Sequence, residues 1–130
     1  MTDTYYFDGG CRPNPGPMDV AVVRGGKIWL RTDIGVGDSS AAEWHALLFA
    51  VGLAHEAGAN DVRFVGDNAM VVAQASGKAK CSARLKPLLA AFNDAAAKFD
   101  RVHVRHVPRS KNLAGAELAR RRNYFPSTTR

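Results

Sequence analysis

Cysteine is scarce in this chain, with Cys11 and Cys81 the only two among 130 residues. One pair cannot build a disulfide framework, and the spacing fits no metal-binding pattern, so both are read as free thiols in a reducing, cytoplasmic setting. Long apolar runs are missing too: no stretch approaches the roughly 18 residues of a membrane span. Met1-Thr2-Asp3 leads into a strand-like segment without the pattern of a secretory leader. No repeat, low-complexity tract or phosphate-cradling Gly-x-x-x-x-Gly-Lys loop occurs, which argues against solenoids and P-loop nucleotide binding. Acidic residues are outnumbered, 12 against 18 Lys and Arg, giving a net charge of +6. Such a field favours a polyanionic partner but does not select one.

What is present is a globular composition, 46% hydrophobic and 23% charged, at a length that suits one domain over residues 1–130. Its core is expected over about 4–122, with 123–130 a frayed tail. Thr4-Tyr5-Tyr6-Phe7-Asp8 has strand composition and stops at Gly9-Gly10. Two further strands, Asp19–Arg24 and Lys27–Ile34, flank the tight connection Gly25-Gly26. Ser39 or Ser40 can cap a helix to about Ala57, with Trp44, Leu47, Leu48 and Val51 at helical spacing and Gly58 as its stop. Then follow a strand at Asp61–Val65, a short helix from Asn68 to about Ser76, and a longer one from Ala83 to Phe99. A strand at Arg101–Val107 and a last helix from Leu113 to about Arg122 complete the chain.

The order β-β-β-α-β-α-α-β-α predicts an α/β fold with a mixed sheet and helices on its faces. A crossover makes the first and fourth strands parallel neighbours. Asp8 and Asp67 then end adjacent strands, and Glu43 falls in the first turn of the helix between them. Three converging carboxylates would repel one another unless cations balanced them, which points to Mg²⁺ or Mn²⁺. Two such ions about 4 Å apart suit phosphodiester hydrolysis.

The same residues resemble a known family. Tyr6-Phe7-Asp8-Gly9-Gly10 followed by Pro13-Asn14-Pro15-Gly16-Pro17 is similar to the opening of type 1 ribonuclease H. Ser39-Ser40-Ala41-Ala42-Glu43 resembles the helix start carrying its second acid, and Val65-Gly66-Asp67-Asn68 the strand end carrying its third. Val104–Arg109, Asn112 and Leu118-Ala119 resemble the end of the compact members that lack the basic protrusion. The resemblance implies a five-stranded sheet, three strands antiparallel and then two parallel, and two-metal hydrolysis of the RNA strand of RNA–DNA hybrids. It further implies metal ligands Asp8, Glu43 and Asp67 and a loop histidine, His106, in proton transfer or product release. Contacts to nucleic acid fall to Gly9, Gly10, Asn14, Ser39, Ser40, Asn68, Lys78, Lys80, Arg84 and Asn112.

The sequence departs from the family at several positions: Ser39 and Ser40 stand where many members carry paired asparagines, Ala69 stands where many carry a glutamine, and the last helix lacks an acid. The family's last helix opens Asn-x-x-Ala-Asp-x-Leu-Ala, and here Asn112-Leu113-Ala114-Gly115-Ala116-Glu117-Leu118-Ala119 puts Ala116 in place of the fourth acid. Glu117 is the candidate substitute, one helical step of roughly 100° away. The alternative reading is a catalytically impaired protein that binds hybrid or double-stranded nucleic acid, including double-stranded RNA, on the same fold.

Overall fold

The computed structural model describes residues 1–124, with side chains through Arg121. The strands are β1 (Asp3–Cys11), β2 (Gly16–Arg24), β3 (Lys27–Arg31), β4 (Val36–Gly37), β5 (Asp61–Gly66) and β6 (Arg101–His106). The helices are α1 (Ser39–Glu56), α2 (Ala69–Ala75), α3 (Lys86–Ala96) and α4 (Leu113–Tyr124). The sheet runs β3-β2-β1-β5-β6, with β4 pairing β2 off that path. β1 pairs antiparallel with β2 and parallel with β5, and β5 pairs parallel with β6. The mixed sheet is as expected apart from the sixth, two-residue strand.

Strand alternation divides the core into two layers. Tyr5, Phe7, Val20, Val22, Val62 and Phe64 face α1, where Trp44 and Leu47 are fully buried. Burying a side chain such as Phe7 contributes about 2–3 kcal/mol. On the opposite face Ala21 and Val23 meet Ala114 and Leu118 of α4. No helix of the described residues is long and apolar enough to cross a membrane.

Several boundaries differ from expectation. β1 does not stop at Asp8 but runs through Gly9 and Gly10, which pair with Val20 and Asp19. Glycine serves close packing here rather than a turn, because a Cβ on Gly9 would lie 2.1 Å from the Ala42 carbonyl oxygen. β3 ends at Arg31, ahead of the left-handed residue Asp33 (φ 54°) and of β4. Asp38, not a serine, caps α1 by accepting from the Ala41 N–H at 2.9 Å. Glu43 consequently sits in the second turn, leaving no acid in the first. Gly58, at φ 73°, follows α1 as expected. The helix expected over Ala83–Phe99 opens as a 3₁₀ turn at Ala83–Leu85 and closes at Ala96. Of the expected tail, Asn123 and Tyr124 continue α4, and 125–130 lie outside the described residues.

Candidate active site

Register brings the acids together. The parallel pairing of β1 with β5 ends at Tyr6 opposite Val65. Two residues further along each chain stand Asp8 and Asp67, on the sheet face that α4 covers. Glu43 reaches them from α1 through the gap that Gly9 leaves, and the Gly9 N–H donates to its Oε1 at 3.0 Å. One carboxylate oxygen from each of Asp8, Glu43 and Asp67 lies within 4.8 Å of the other two. Glu43 is only 6% exposed. Burial first, then the charges of Asp8 and Asp67, pushes its pKa up from 4.5 to about 9. Three carboxylates this close are not all ionised together without a counter-charge, and an all-oxygen donor set suits a hard divalent cation.

α4 contributes an amide rather than an acid. Asn112, 2% exposed, donates through Nδ2 to the Phe7 carbonyl at 3.0 Å and to Asp67 Oδ2 at 2.9 Å. Its Oδ1 accepts from the Ala114 N–H at 3.1 Å, so Asn112, expected as a contact to nucleic acid, ties the start of α4 to β1 and Asp67. Gly115 faces the cluster: a Cβ there would stand 3.5 Å from Asp8 Oδ2 and 3.6 Å from Asp67 Oδ2. Ala116 is exposed. Glu117, two steps and roughly 200° around the helix from Gly115, does not join the cluster. It pairs instead with Arg120 at 3.0 Å.

A cavity of about 320 Å³ opens on the cluster, lined in part by Asp8, Gly9, Gly10, Ser39, Glu43, Asn68 and Arg109. Arg109 was missed by sequence reasoning. Its only signal was its place between β6 and Asn112, in the loop that carries α4 to the cluster. His106, expected at this site, lines a different groove, because β6 ends with it before the chain turns towards α4.

A family model described as reverse transcriptase-like matches residues 25–122. The chain is 32% identical over 127 residues to a ribonuclease HI of Halobacterium salinarum, covering 88% of this chain and 60% of that protein. The crystal structure of RNase H1 from the same archaeon superposes with a TM-score of 0.84 at 30% identity, over 91% of this chain and 94% of that one. This chain belongs to the ribonuclease H-like family. LC11-RNase H1, solved with an RNA/DNA hybrid, is also similar, with a TM-score of 0.81 at 26% identity, covering 89% of this chain and 92% of that one.

The remaining expected contacts of this RNase H-like chain divide into three groups. Gly9, Gly10, Ser39 and Asn68 line the carboxylate cavity. Asn68 also caps α2 by accepting from the Val71 N–H at 3.0 Å. Asn14 spends its amide on the start of α1, donating to Ser39 Oγ at 3.1 Å and accepting from the Ser39 N–H at 3.2 Å. Ser40 is half-buried one residue further on. Lys78, Lys80 and Arg84 are exposed away from the cavity lining. Arg84 pairs with the cap residue Asp38 at 2.7 Å, and Lys78 lines a separate hollow beside α3 and β6. Neither Cys11 nor Cys81 is in a disulfide, and the Cys11 thiol donates to Asn14 Oδ1 at 3.4 Å.

Proposed function

We propose that this chain, as one RNase H-like unit, hydrolyses the RNA strand of RNA–DNA hybrids, with Asp8, Glu43 and Asp67 holding Mg²⁺ or Mn²⁺. The observation that carries this reading is the meeting of the three carboxylates within 4.8 Å, with Asp8 and Glu43 lining an open cavity. When bound, two hard cations neutralise charge building on the scissile phosphate and activate water.

The chain's own residues prepare that site. The Gly9 N–H holds Glu43 Oε1, and Asn112 holds Asp67 Oδ2, so two of the three carboxylates are fixed in direction before any cation arrives. Glu43 releases its proton when it takes up a ligand role. Gly9 and Gly10 line the cavity, and Gly10 offers backbone without a side chain to a phosphodiester there, while the bare side of Gly9 is taken up by Ala42. Arg109 adds a fixed positive charge at the same cavity, suited to a phosphate oxygen. Lys78, Lys80 and Arg84 offer further charge to the backbone beyond the cleavage site.

A specific observation favours a second reading, in which the chain binds hybrid or double-stranded nucleic acid with little cleavage. Ala116 offers no carboxylate, and Glu117 is engaged with Arg120. One assay separates the two. A labelled hybrid is incubated with Mg²⁺ or Mn²⁺ and the wild type, Asp8→Asn or Ala116→Asp. The first reading expects wild-type products with 5′-phosphate and 3′-hydroxyl ends, a loss of at least about 10³-fold in Asp8→Asn, and a much smaller effect in Ala116→Asp, whose exposed position is one helical step from the one that faces the acids. Salt-dependent binding of intact hybrid by the wild type selects the second.

A further inference from the structure

The face of the sheet that carries Asp8 and Asp67 continues backwards along β1, β5 and β6 into a second concavity. α4 packs over β1, β2 and β3, and on this face of β6 Arg101, His103 and Arg105 are exposed. The groove so left has a volume of about 470 Å³, lined in part by Tyr6, Arg63, Arg105, His106, Val107 and Leu113. Tyr6 is in register with Val65, and Val65 with Arg105. Arg63 lies on the same face one alternation earlier in β5.

Two features distinguish this groove from an ordinary solvated patch. Among the described residues neither Arg63 nor Arg105 forms an ion pair. Arg63 Nε is moreover shut off from solvent with no hydrogen-bond partner. The sealed Nε is itself out of a ligand's reach, but Arg63 as a whole is only half-buried, and an anion at the accessible end of a guanidinium that has no other counter-charge offsets part of the cost of holding it there. Asp61 Oδ1 is likewise buried and unpartnered, but Asp61 does not line the groove and stands opposite Arg101 at the start of β6.

The remaining lining selects among anions. Planar guanidinium forks match phosphate oxygens, and the Tyr6 ring with Val107 and the 48%-exposed Leu113 offers an apolar wall on which a flat ring can lie. The volume falls in the range of small-ligand pockets. An acidic peptide would use the charge but not the ring-sized apolar wall. We propose that this groove is a second binding site, for a phosphate monoester carried on a nucleoside, either a free nucleotide or the phosphorylated end of a strand. Arg63 and Arg105 take the phosphate, and Tyr6 and Leu113 flank the base.

The test is an NMR titration of the ¹⁵N-labelled full chain in EDTA, which keeps divalent metal from drawing phosphate to the carboxylates. The probes are AMP, adenosine, inorganic phosphate, a 5′-phosphorylated trinucleotide and a glutamate-rich peptide. The expected result is saturable AMP-induced shifts at Tyr6, Arg63, Arg105 and Leu113. Adenosine and phosphate should each bind at least about tenfold more weakly, and Arg105→Gln, at an exposed position, should weaken AMP by about tenfold. Trinucleotide binding at the same residues assigns the site to strand ends, and its absence beside AMP binding assigns it to free nucleotides. Failure of AMP to saturate these residues, shifts confined to the carboxylate cavity, unchanged affinity in Arg105→Gln, or peptide binding as tight as AMP would each overturn the proposal.

Discussion

The strand tips and the start of α4 meet at one cavity yet supply opposite things. β1 and β5 bring charge, with Asp8 and Asp67 two residues beyond their last shared pair. α4 brings none: Asn112 spends its whole amide on Phe7, Asp67 and its own helix, and the position facing the acids is Gly115. The contrast separates holding a carboxylate in place from adding another. Parallel register brings Asp8 and Asp67 side by side, and the Asn112 amide and the Gly9 N–H then fix the direction of Asp67 and Glu43, whereas adding a carboxylate depends on one side chain at one angle of one helix, where this chain has Gly115 and Ala116.

The contrast is broken most severely by closing the space at Gly9. In Gly9→Ala the new Cβ would meet the Ala42 carbonyl oxygen at 2.1 Å, backbone against backbone. We expect α1 to be pushed off β1, at about 3 kcal/mol or more and a fall of about 10 °C in Tm by calorimetry. Hybrid cleavage should fall with it, because Glu43 moves with α1.

Next comes the tie from α4. Asn112→Ala leaves the Phe7 carbonyl unpaired and Asp67 free to turn, for about 2 kcal/mol in urea denaturation. Mn²⁺ affinity should drop by about tenfold, as for other residues that orient a metal ligand. A stability loss with unchanged Mn²⁺ affinity would reduce Asn112 to a purely structural bond.

The smallest expected effect concerns Glu43. Its folded pKa, about 9, is above the ordinary 4.5, so between those limits the metal-free folded state holds a proton that the unfolded state has lost. The stability Glu43 contributes is therefore present below about pH 4.5 and lost progressively as the pH rises towards 9. Glu43→Gln should flatten this slope and raise the metal-free Tm at pH 8 by about 5 °C. Melting curves of both proteins across that range, in EDTA, check it.

Much of this was legible because the informative signals were local. Strand composition, the Gly25-Gly26 connection and the Gly58 stop placed most elements, and the acids followed from topology. What stayed hidden depended on three dimensions. Gly9-Gly10 reads as a turn until α1 is laid across it, and Asp38 outcompetes the serines beside it as cap because its carboxylate reaches the Ala41 N–H. Asn112 is expected from the sequence only as a contact to nucleic acid, and its three internal partners, one of them 105 residues away in sequence, show only in three dimensions. Arg109 and His106 lie three residues apart, and only the turn after β6 decides which of them lines the cavity with the acids.

Calorimetric titration of Mn²⁺ into the wild type and into Asp8→Asn, Glu43→Gln and Asp67→Asn, in two buffers of different ionisation enthalpy at pH 7.5, tests the shared carboxylate site most directly. Wild type should bind saturably with release of up to one proton, from Glu43, and each substitution should weaken binding by at least about tenfold. No saturable binding to the wild type, or binding that all three variants retain, would contradict the account.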